Sequence, residues 1–181
     1  MKIAGILLAA GRSTRFGPQD KLSAPLNGRP LLLHAADAMR NACLDMRFVV
    51  RGADAAEVEG FEVIHVPADA AMSQSLAAGI AAARQSGATA ALVTLADMPF
   101  VEADHLAALI AACDGPSALI ASLDERPLPP ALFGSDWFEK LEHGAGDAGA
   151  RALIAGGKLI RAAAGSLRDI DTPDDLAAAG G

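Results

Sequence analysis

KIAGILLAAGRSTRFGPQDKLSAP, residues 2–25, joins a short apolar run to a polar loop that carries several cations. The segment Ile3–Leu8 predicts a strand buried on both faces, because the run is continuous and too short for an independent helix. The small residues 9–11 follow and let the backbone approach a ligand closely. Beyond them stand Arg15 and Lys21. Backbone N–H groups and fixed cations at the carboxyl end of a buried strand favour binding of a nucleotide polyphosphate.

The loop matches neither of two common phosphate-binding patterns. The P-loop requires G-x-x-x-x-G-K-[ST] and the dinucleotide fingerprint requires G-x-G-x-x-G, and residues 11–21 contain neither. Glycine and arginine in a polar loop also suit an ordinary solvated turn. The loop alone therefore leaves two interpretations open, a nucleotide site and a surface turn.

Length and composition indicate one globular domain. At 181 residues the chain is long enough for a hydrophobic core and too short for two ordinary domains. The formal net charge of -7 argues against a nucleic-acid partner, because most of the surface would repel backbone phosphates. The sequence has no apolar run of membrane-spanning length and no signal peptide, so we expect a cytoplasmic protein without a membrane partner.

Predicted strands and helices alternate along the rest of the chain. Strands are predicted over residues 47–51, 61–66, 88–95, 117–122, 132–133, 158–161 and 167–170, and helices over residues 30–43, 72–85, 102–113, 135–141, 147–154 and after Thr172. The alternation predicts a single three-layer α/β domain over residues 1–181, with parallel strands and right-handed crossovers. Ligands collect at the carboxyl ends of such strands, which places the first loop, Asp97 and the segment around Ser73 at one edge of the sheet.

Aspartates follow two of these segments and are candidate ligands of a magnesium ion. Asp97 follows the most apolar strand, where a carboxylate either meets a cation or caps the helix that begins near Glu102. Asp169 and Asp171 alternate along an extended segment, so both would point the same way and could hold the same ion. The run 171–173 also suits a plain helix start, and that alternative stays open.

The start of the second long helix offers polar groups for a base or a ribose. Ser73, Gln74 and Ser75 stand where free N–H groups and side-chain amides can bind such a ligand. N-capping by Ser73 explains part of this pattern without a ligand, and it leaves Gln74 unexplained. The sequence contains no G-x-S-x-G or H-E-x-x-H motif, which argues against common hydrolase mechanisms.

Five sequence elements together resemble the MobA-like nucleotidyltransferases. They are LAAGRSTRFG with DKL within residues 8–22, MSQSL at 72–76, LADMP at 95–99, GDAGAR at 146–151 and DIDTPDDL at 169–176. Each element is weak alone, but the ordered set is specific. The resemblance implies a Rossmann-like domain of the nucleotide-diphospho-sugar transferase type.

Within that family the chain looks most like the molybdenum cofactor cytidylyltransferases. Ala10 favours this branch, because the guanylyltransferase branch usually has a second glycine there. The resemblance implies transfer of CMP from CTP to the phosphate of molybdopterin, with release of pyrophosphate. Two positions depart from the family pattern: Pro129 stands where histidine is common, and Ala71 replaces a usual glycine.

The resemblance also implies a set of site residues. The residues expected to bind the nucleotide are Leu8, Ala9, Ala10, Gly11, Arg15, Lys21, Ser73, Gln74 and Ser75. The expected catalytic residues are Arg15, Lys21 and Asp97. Mg²⁺ is expected to bind Asp97 with Asp169 or Asp171. An acceptor phosphate oxygen would attack the α-phosphorus in line with the departing pyrophosphate, without a covalent enzyme intermediate.

Other functions remain open at this point. A nucleotidyltransferase of the same fold could use GTP, or a sugar or polyol phosphate as acceptor. A non-catalytic binding or chaperone module could instead carry molybdopterin to an apoenzyme. A molybdoenzyme or its maturation chaperone is a further candidate partner of the chain. The remaining alternative is an α/β domain whose first loop is only a turn.

Overall fold

A computed structural model describes residues 1–11, 16, 20–52, 57–143 and 152–180. The strands are β1 (Ile3–Leu8), β2 (Pro25–Leu26), β3 (Arg29–Pro30), β4 (Met46–Gly52), β5 (Glu62–Val66), β6 (Ala90–Leu95), β7 (Leu119–Leu123), β8 (Pro127–Gly134) and β9 (Lys158–Arg161). The helices are α1 (Leu31–Asn41), α2 (Met72–Gln85), α3 (Ala103–Ala111), α4 (Phe138–Glu142) and α5 (Pro173–Ala179), with 3₁₀ turns at Lys21–Ser23 and Ser135–Trp137. Residues 152–155 are also helical.

The strands form one large sheet in the order β5-β4-β1-β6-β8-β7-β9. Strand β1 lies between β4 and β6 and pairs with both in parallel. Only β8 runs antiparallel to its neighbours among the described pairs of this sheet. The predicted α/β fold with a mostly parallel sheet is therefore confirmed.

Both faces of the sheet are covered, as the sequence of β1 predicts. Ile6 and Leu7 point to opposite faces because successive strand residues alternate, and both are completely buried. Leu7 packs in a cluster with residues of α1 and α3, and Ile6 packs in a second cluster with residues of α2 and α4. The helix α2 comes close to the sheet at Gly79, where a Cβ would lie 2.6 Å from Ile6 Cγ2.

The structure corrects the prediction for the proline-rich segment before Phe133. A short or edge strand at residues 132–133 was expected, whereas β8 spans Pro127–Gly134 and lies inside the sheet. Its pairing with β6 uses only Ala131–Gly134, and its register with β7 shifts between Ala121 and Ser122. Prolines lack an N–H group and cannot donate to a neighbouring strand. They are accommodated in β8 where its hydrogen-bond pairing with β7 is irregular.

Other differences concern the ends of elements. Helix α1 begins at Leu31 rather than Pro30, because Pro30 pairs with Pro25 in the β2–β3 hairpin. Ser135 does not cap α4 through its side chain, since it opens a 3₁₀ turn. Residues 167–170 form a turn and a coil rather than a strand. Most of the helix predicted over residues 147–154 lies outside the described residues. No helix in the described part of the chain is long and apolar enough to span a bilayer.

A buried hydrogen-bond chain joins α3 to β7 and β8. Ser122 Oγ donates to the Pro130 carbonyl at 2.7 Å and lies 2.8 Å from His105 Nε2. Because the hydroxyl has one proton, which it gives to Pro130, His105 Nε2 must be the donor in its own bond. Burial lowers the pKa of His105 below its ordinary value of 6.5, although Glu102 opposes the shift.

This pKa shift predicts an acid-sensitive contribution to stability. Below about pH 6.5 the unfolded chain protonates His105 more readily than the folded chain, so the free energy of unfolding falls as the pH falls. Urea unfolding at pH 8 and at pH 5.5 measures this effect. The free energy of unfolding should fall less between the two pH values for His105→Gln than for the wild type, because Gln keeps a donor for Ser122 without titrating. An equal loss in both proteins would contradict the assignment.

Candidate active site

One lysine and two aspartates from distant parts of the chain meet at the carboxyl end of the sheet. Lys21 Nζ lies 2.9 Å from Asp97 Oδ2 and 3.0 Å from Asp171 Oδ1. Lys21 is only 8% exposed, which is rare for a lysine unless it is paired. The structure therefore brings together three of the predicted catalytic and metal-binding residues.

The turn that carries Lys21 is held by the residue before it. Asp20 caps the 3₁₀ turn: its Oδ1 accepts from the Leu22 N–H at 3.1 Å and its Oδ2 from the Ser23 hydroxyl at 2.7 Å. Leu22 is buried in the cluster that contains α1 and α3. The cap at Asp20 and the buried Leu22 thus hold the backbone on both sides of Lys21.

Asp97 is positioned by the end of β6 and by the C-terminal segment. The Ala96 N–H donates to the Leu8 carbonyl at 3.0 Å, and the Ile170 N–H donates to the Asp97 carbonyl at 2.9 Å. The second bond ties the segment before α5 to the end of β6. Asp97 does not cap α3, which begins after Glu102. Asp97 Oδ1 is buried and has no hydrogen-bond partner among the described residues.

A capping box fixes the backbone at Asp171. Asp175 Oδ2 accepts from the N–H groups of Asp171 and Thr172, at 3.2 and 2.8 Å, and Thr172 Oγ1 accepts from the Asp175 N–H at 3.1 Å. This arrangement is the reciprocal cap expected at a helix start. The hydrogen bonds from Thr172 lower the pKa of Asp175, so its carboxylate keeps its charge. The predicted helix start is therefore confirmed, and the residue before it, Asp171, contacts Lys21.

The electrostatics of the cluster favour a charged lysine. Burial lowers the pKa of Lys21, but the charges and hydrogen bonds of Asp97 and Asp171 outweigh it, and the net shift is upward. The ammonium group is therefore fully protonated at neutral pH. Its positive charge faces a carboxylate oxygen of each aspartate.

The glycine-bearing loop begins beside this cluster. The Ala9 N–H donates to the Val50 carbonyl at 2.9 Å, and the Leu8 carbonyl accepts from the Ala96 N–H. Residues 8–11 therefore leave the sheet at the same edge as Asp97. Gly11 is exposed, and a Cβ added to it would meet no atom of the described residues within 4 Å. Among the described residues, nothing therefore fills the space beside the Gly11 backbone.

The start of α2 lies at the same edge, but its polar residues differ from the prediction. The N-cap is Ala71 rather than Ser73, and the Ala71 N–H donates to Gln74 Oε1 at 2.8 Å. Gln74, which N-capping by Ser73 had left unexplained, thus closes the first turn of the helix itself. Ser75 is buried, and its hydroxyl donates to the Ala71 carbonyl at 3.3 Å.

One predicted residue lies outside the cluster, and two further predicted features lie outside the described residues. Asp169 is exposed, whereas Asp171 contacts Lys21. Arg15 and the GDAGAR element at residues 146–151 lie outside the described residues. Within the described ranges, no group of three or more His, Cys, Asp or Glu side chains could hold a metal ion by itself.

Sequence reasoning missed the supporting roles of Asp20 and Asp175. Both could have been found from local patterns: an aspartate directly before a Lys-Leu-Ser turn is typical of an N-cap, and T-P-D-D resembles a capping box with an acid at its third position. The mutual pairing of Lys21 with two carboxylates has no such local signal.

Comparison with known proteins agrees with this geometry. The model of the MobA-like NTP transferase domain matches residues 5–164. The chain belongs to the MobA-like NTP transferase family.

Relatives of similar length support the membership. A purine catabolism protein, PucB of Bacillus subtilis, is 33% identical over 96% of this chain and 93% of its own length. A molybdenum cofactor guanylyltransferase of Burkholderia ambifaria is 35% identical over 88% of this chain and 80% of its own. The crystal structure of Rv0371c from Mycobacterium tuberculosis superposes with a TM-score of 0.85 at 25% identity, covering 99% of this chain and 97% of that one. A complex of Rv0371c with manganese, which covers 99% of this chain and 98% of that one, superposes with a TM-score of 0.80 at 25% identity.

The exposed position of Gly11 leads to a prediction about nucleotide binding. Gly11→Ala should leave the free energy of unfolding almost unchanged and weaken nucleotide binding by about 10- to 100-fold, the effect of forcing one methyl group into filled space. Calorimetric titration with each NTP measures the binding.

Gly156→Ala is the matched control. Gly156 lies just before β9, and its added Cβ would meet Leu153 O, among the described residues, at an ordinary contact distance of 3.5 Å. Undiminished nucleotide binding by Gly11→Ala would exclude the loop from the site.

The cap at Asp20 yields a second prediction. Asp20→Ala removes both acceptors from the turn and should lower kcat by about fivefold, which corresponds to the loss of about 1 kcal/mol when an N-cap is removed. Asp20→Asn keeps one acceptor oxygen and should restore most of the rate. A loss of rate in Asp20→Asn equal to that in Asp20→Ala would show that the charge matters rather than the cap.

Proposed function

We propose that this chain is a nucleotidyltransferase that moves a nucleoside monophosphate from an NTP to the phosphate of a small molecule and releases pyrophosphate. The observation that carries the proposal is the meeting of Lys21 with Asp97 and Asp171 beside an open glycine-bearing loop. A cation for phosphates and carboxylates for a divalent ion are the two components that such a transfer requires.

The carboxylates fit a divalent cation. Asp97 Oδ1 is buried without a partner in the described part of the chain, and a buried unpaired carboxylate oxygen is costly unless a cation or a donor meets it. Mg²⁺ prefers oxygen ligands, binds through one or two carboxylates and takes its remaining ligands from water and substrate phosphates. Asp97 and Asp171 would hold the ion, which would neutralise the charge that develops on the phosphates.

The residues of the chain would divide the remaining work. Backbone N–H groups of Ala10 and Gly11 and the ammonium of Lys21 would hold the triphosphate, and Arg15 would add a second cation. An oxygen of the acceptor phosphate would form a bond to the α-phosphorus while the bond to the departing pyrophosphate breaks on the opposite side. Lys21 would stabilise the negative charge that accumulates as pyrophosphate leaves.

For the substrates we propose CTP and molybdopterin. Ala10 supports CTP, because a second glycine is usual at that position in the guanylyltransferase branch. The acceptor is supported by relatives named for the molybdenum cofactor. GTP is the second candidate donor, and the observation that favours it is that these relatives are named guanylyltransferases.

Aspartates inside and outside the cluster allow a controlled test of the chemistry. Asp97→Asn and Asp171→Asn should each lower kcat by about two to four powers of ten, comparable to removal of a preorganised charge partner. Asp169→Asn is the matched control, because Asp169 lies in the same segment and is exposed, and it should retain the wild-type rate. Full metal-dependent turnover by Asp97→Asn would contradict the assignment.

The donor and the acceptor are separated by an assay of pyrophosphate release. CTP, GTP, UTP and ATP are each paired with molybdopterin, a sugar phosphate and a polyol phosphate. We expect the highest kcat/KM for CTP with molybdopterin. A higher value for GTP would assign the guanylyltransferase reaction, and nucleotide binding without release of pyrophosphate in any combination would support the non-catalytic carrier.

A further inference from the structure

The ammonium of Lys21 lies where a divalent cation would have to bind. Its nitrogen is within 3.0 Å of an oxygen of each carboxylate, and the lysine side chain is 11% exposed. The position between two carboxylate oxygens is also the position from which an ion could contact both. A lysine and a divalent ion therefore compete for the same pair of ligands.

We propose that Lys21 is an internal cation that keeps free divalent metal off Asp97 and Asp171 until a nucleotide arrives. This inference rests on the proposed function and adds a mechanism of control to it. In the free protein the lysine neutralises the carboxylates. When the triphosphate binds, the ammonium moves to the phosphates and the metal takes its place between the carboxylates.

The two carboxylates belong to segments held by backbone hydrogen bonds, whereas the ammonium stands at the end of a long side chain. Asp171 is fixed by the capping box with Thr172 and Asp175, and Asp97 is fixed by the end of β6 and by Ile170. The backbone at Lys21 is fixed by Asp20, but its side chain has four rotatable bonds and ends in a compact charge. The carboxylates can therefore stay in place while the ammonium moves.

The charges favour the same exchange. The ammonium meets one oxygen of each carboxylate, and Asp97 Oδ1 has no hydrogen-bond partner among the described residues, so the lysine satisfies Asp97 only in part. A triphosphate adds several negative charges beside Lys21 and attracts both the ammonium and a divalent ion. In the absence of nucleotide, a metal ion must displace the lysine from the carboxylates, and no phosphate is present to pair with the displaced ammonium.

Metal binding without nucleotide tests the proposal independently of turnover. Calorimetric titration with MnCl₂ should give an affinity about 10- to 100-fold higher for Lys21→Met than for the wild type, because Met keeps the length of the side chain and removes the competing charge. The same variant should gain more thermal stability from MnCl₂ than the wild type gains.

Lys140→Met is the matched control. It removes the same charge from an exposed lysine that contacts only the Trp137 ring in the described structure, and it should bind Mn²⁺ like the wild type. An affinity of Lys21→Met no higher than that of Lys140→Met would overturn the proposal.

A measurement on the unmodified protein keeps the test decisive if Lys21→Met does not fold. In protein labelled with ¹⁵N-lysine, the Nζ resonance of Lys21 should shift at the concentration of free Mg²⁺ that fills the site. Saturation of the site by Mg²⁺ with this resonance unchanged would show that the ion and the lysine do not compete. If the metal and the lysine compete but no NTP is turned over, the proposed function fails and the competition stands.

Discussion

The arrangement of the site depends on one buried ammonium group. Lys21 hydrogen-bonds to residues that are 76 and 150 positions further along the chain. These two bonds join the turn after the first loop to the end of β6 and to the segment before α5. A lysine that is 8% exposed is tolerated there because both carboxylates meet it, and the carboxylates tolerate their proximity because the lysine lies between them.

Supporting contacts make that meeting reproducible. Each of the three charged side chains belongs to a segment with its own backbone anchor: Asp20 for Lys21, the Ile170 N–H for Asp97, and the Thr172–Asp175 capping box for Asp171. These anchors use short polar side chains and backbone groups rather than large hydrophobic contacts. The three charged side chains are therefore held in place without any described residue filling the space beside Gly11.

Sequence periodicity was sufficient for the architecture because the relevant signals are local. The apolar run at Ile3–Leu8 and the helix at Met72–Gln85 were predicted with the observed bounds. Strand β8 was underestimated because prolines argue against a central strand, and the register shift that accommodates them depends on the partner strand. The alternative that Ser73 caps this helix was wrong, because the N-cap is Ala71 and Gln74 Oε1 accepts from the Ala71 N–H.

The site was predicted in composition more than in arrangement. Lys21, Asp97 and Asp171 were all candidates, but the lysine was assigned to phosphates and the aspartates to metal. Their direct contact in the free protein depends on sequence separations that no local pattern encodes. The choice between Asp169 and Asp171 likewise required the fold, because the segment is a coil in which the two side chains have different surroundings.

The central claim is that one site uses the lysine for phosphates and the two aspartates for a divalent ion. A crystal structure with Mn²⁺ and a non-hydrolysable CTP analogue tests it most directly. The account predicts anomalous density for the metal about 2.1 Å from oxygens of Asp97 and Asp171, as expected for a small hard cation, with Lys21 turned towards the triphosphate. Metal density away from both carboxylates, or a triphosphate bound where Lys21 cannot reach it, would contradict the account.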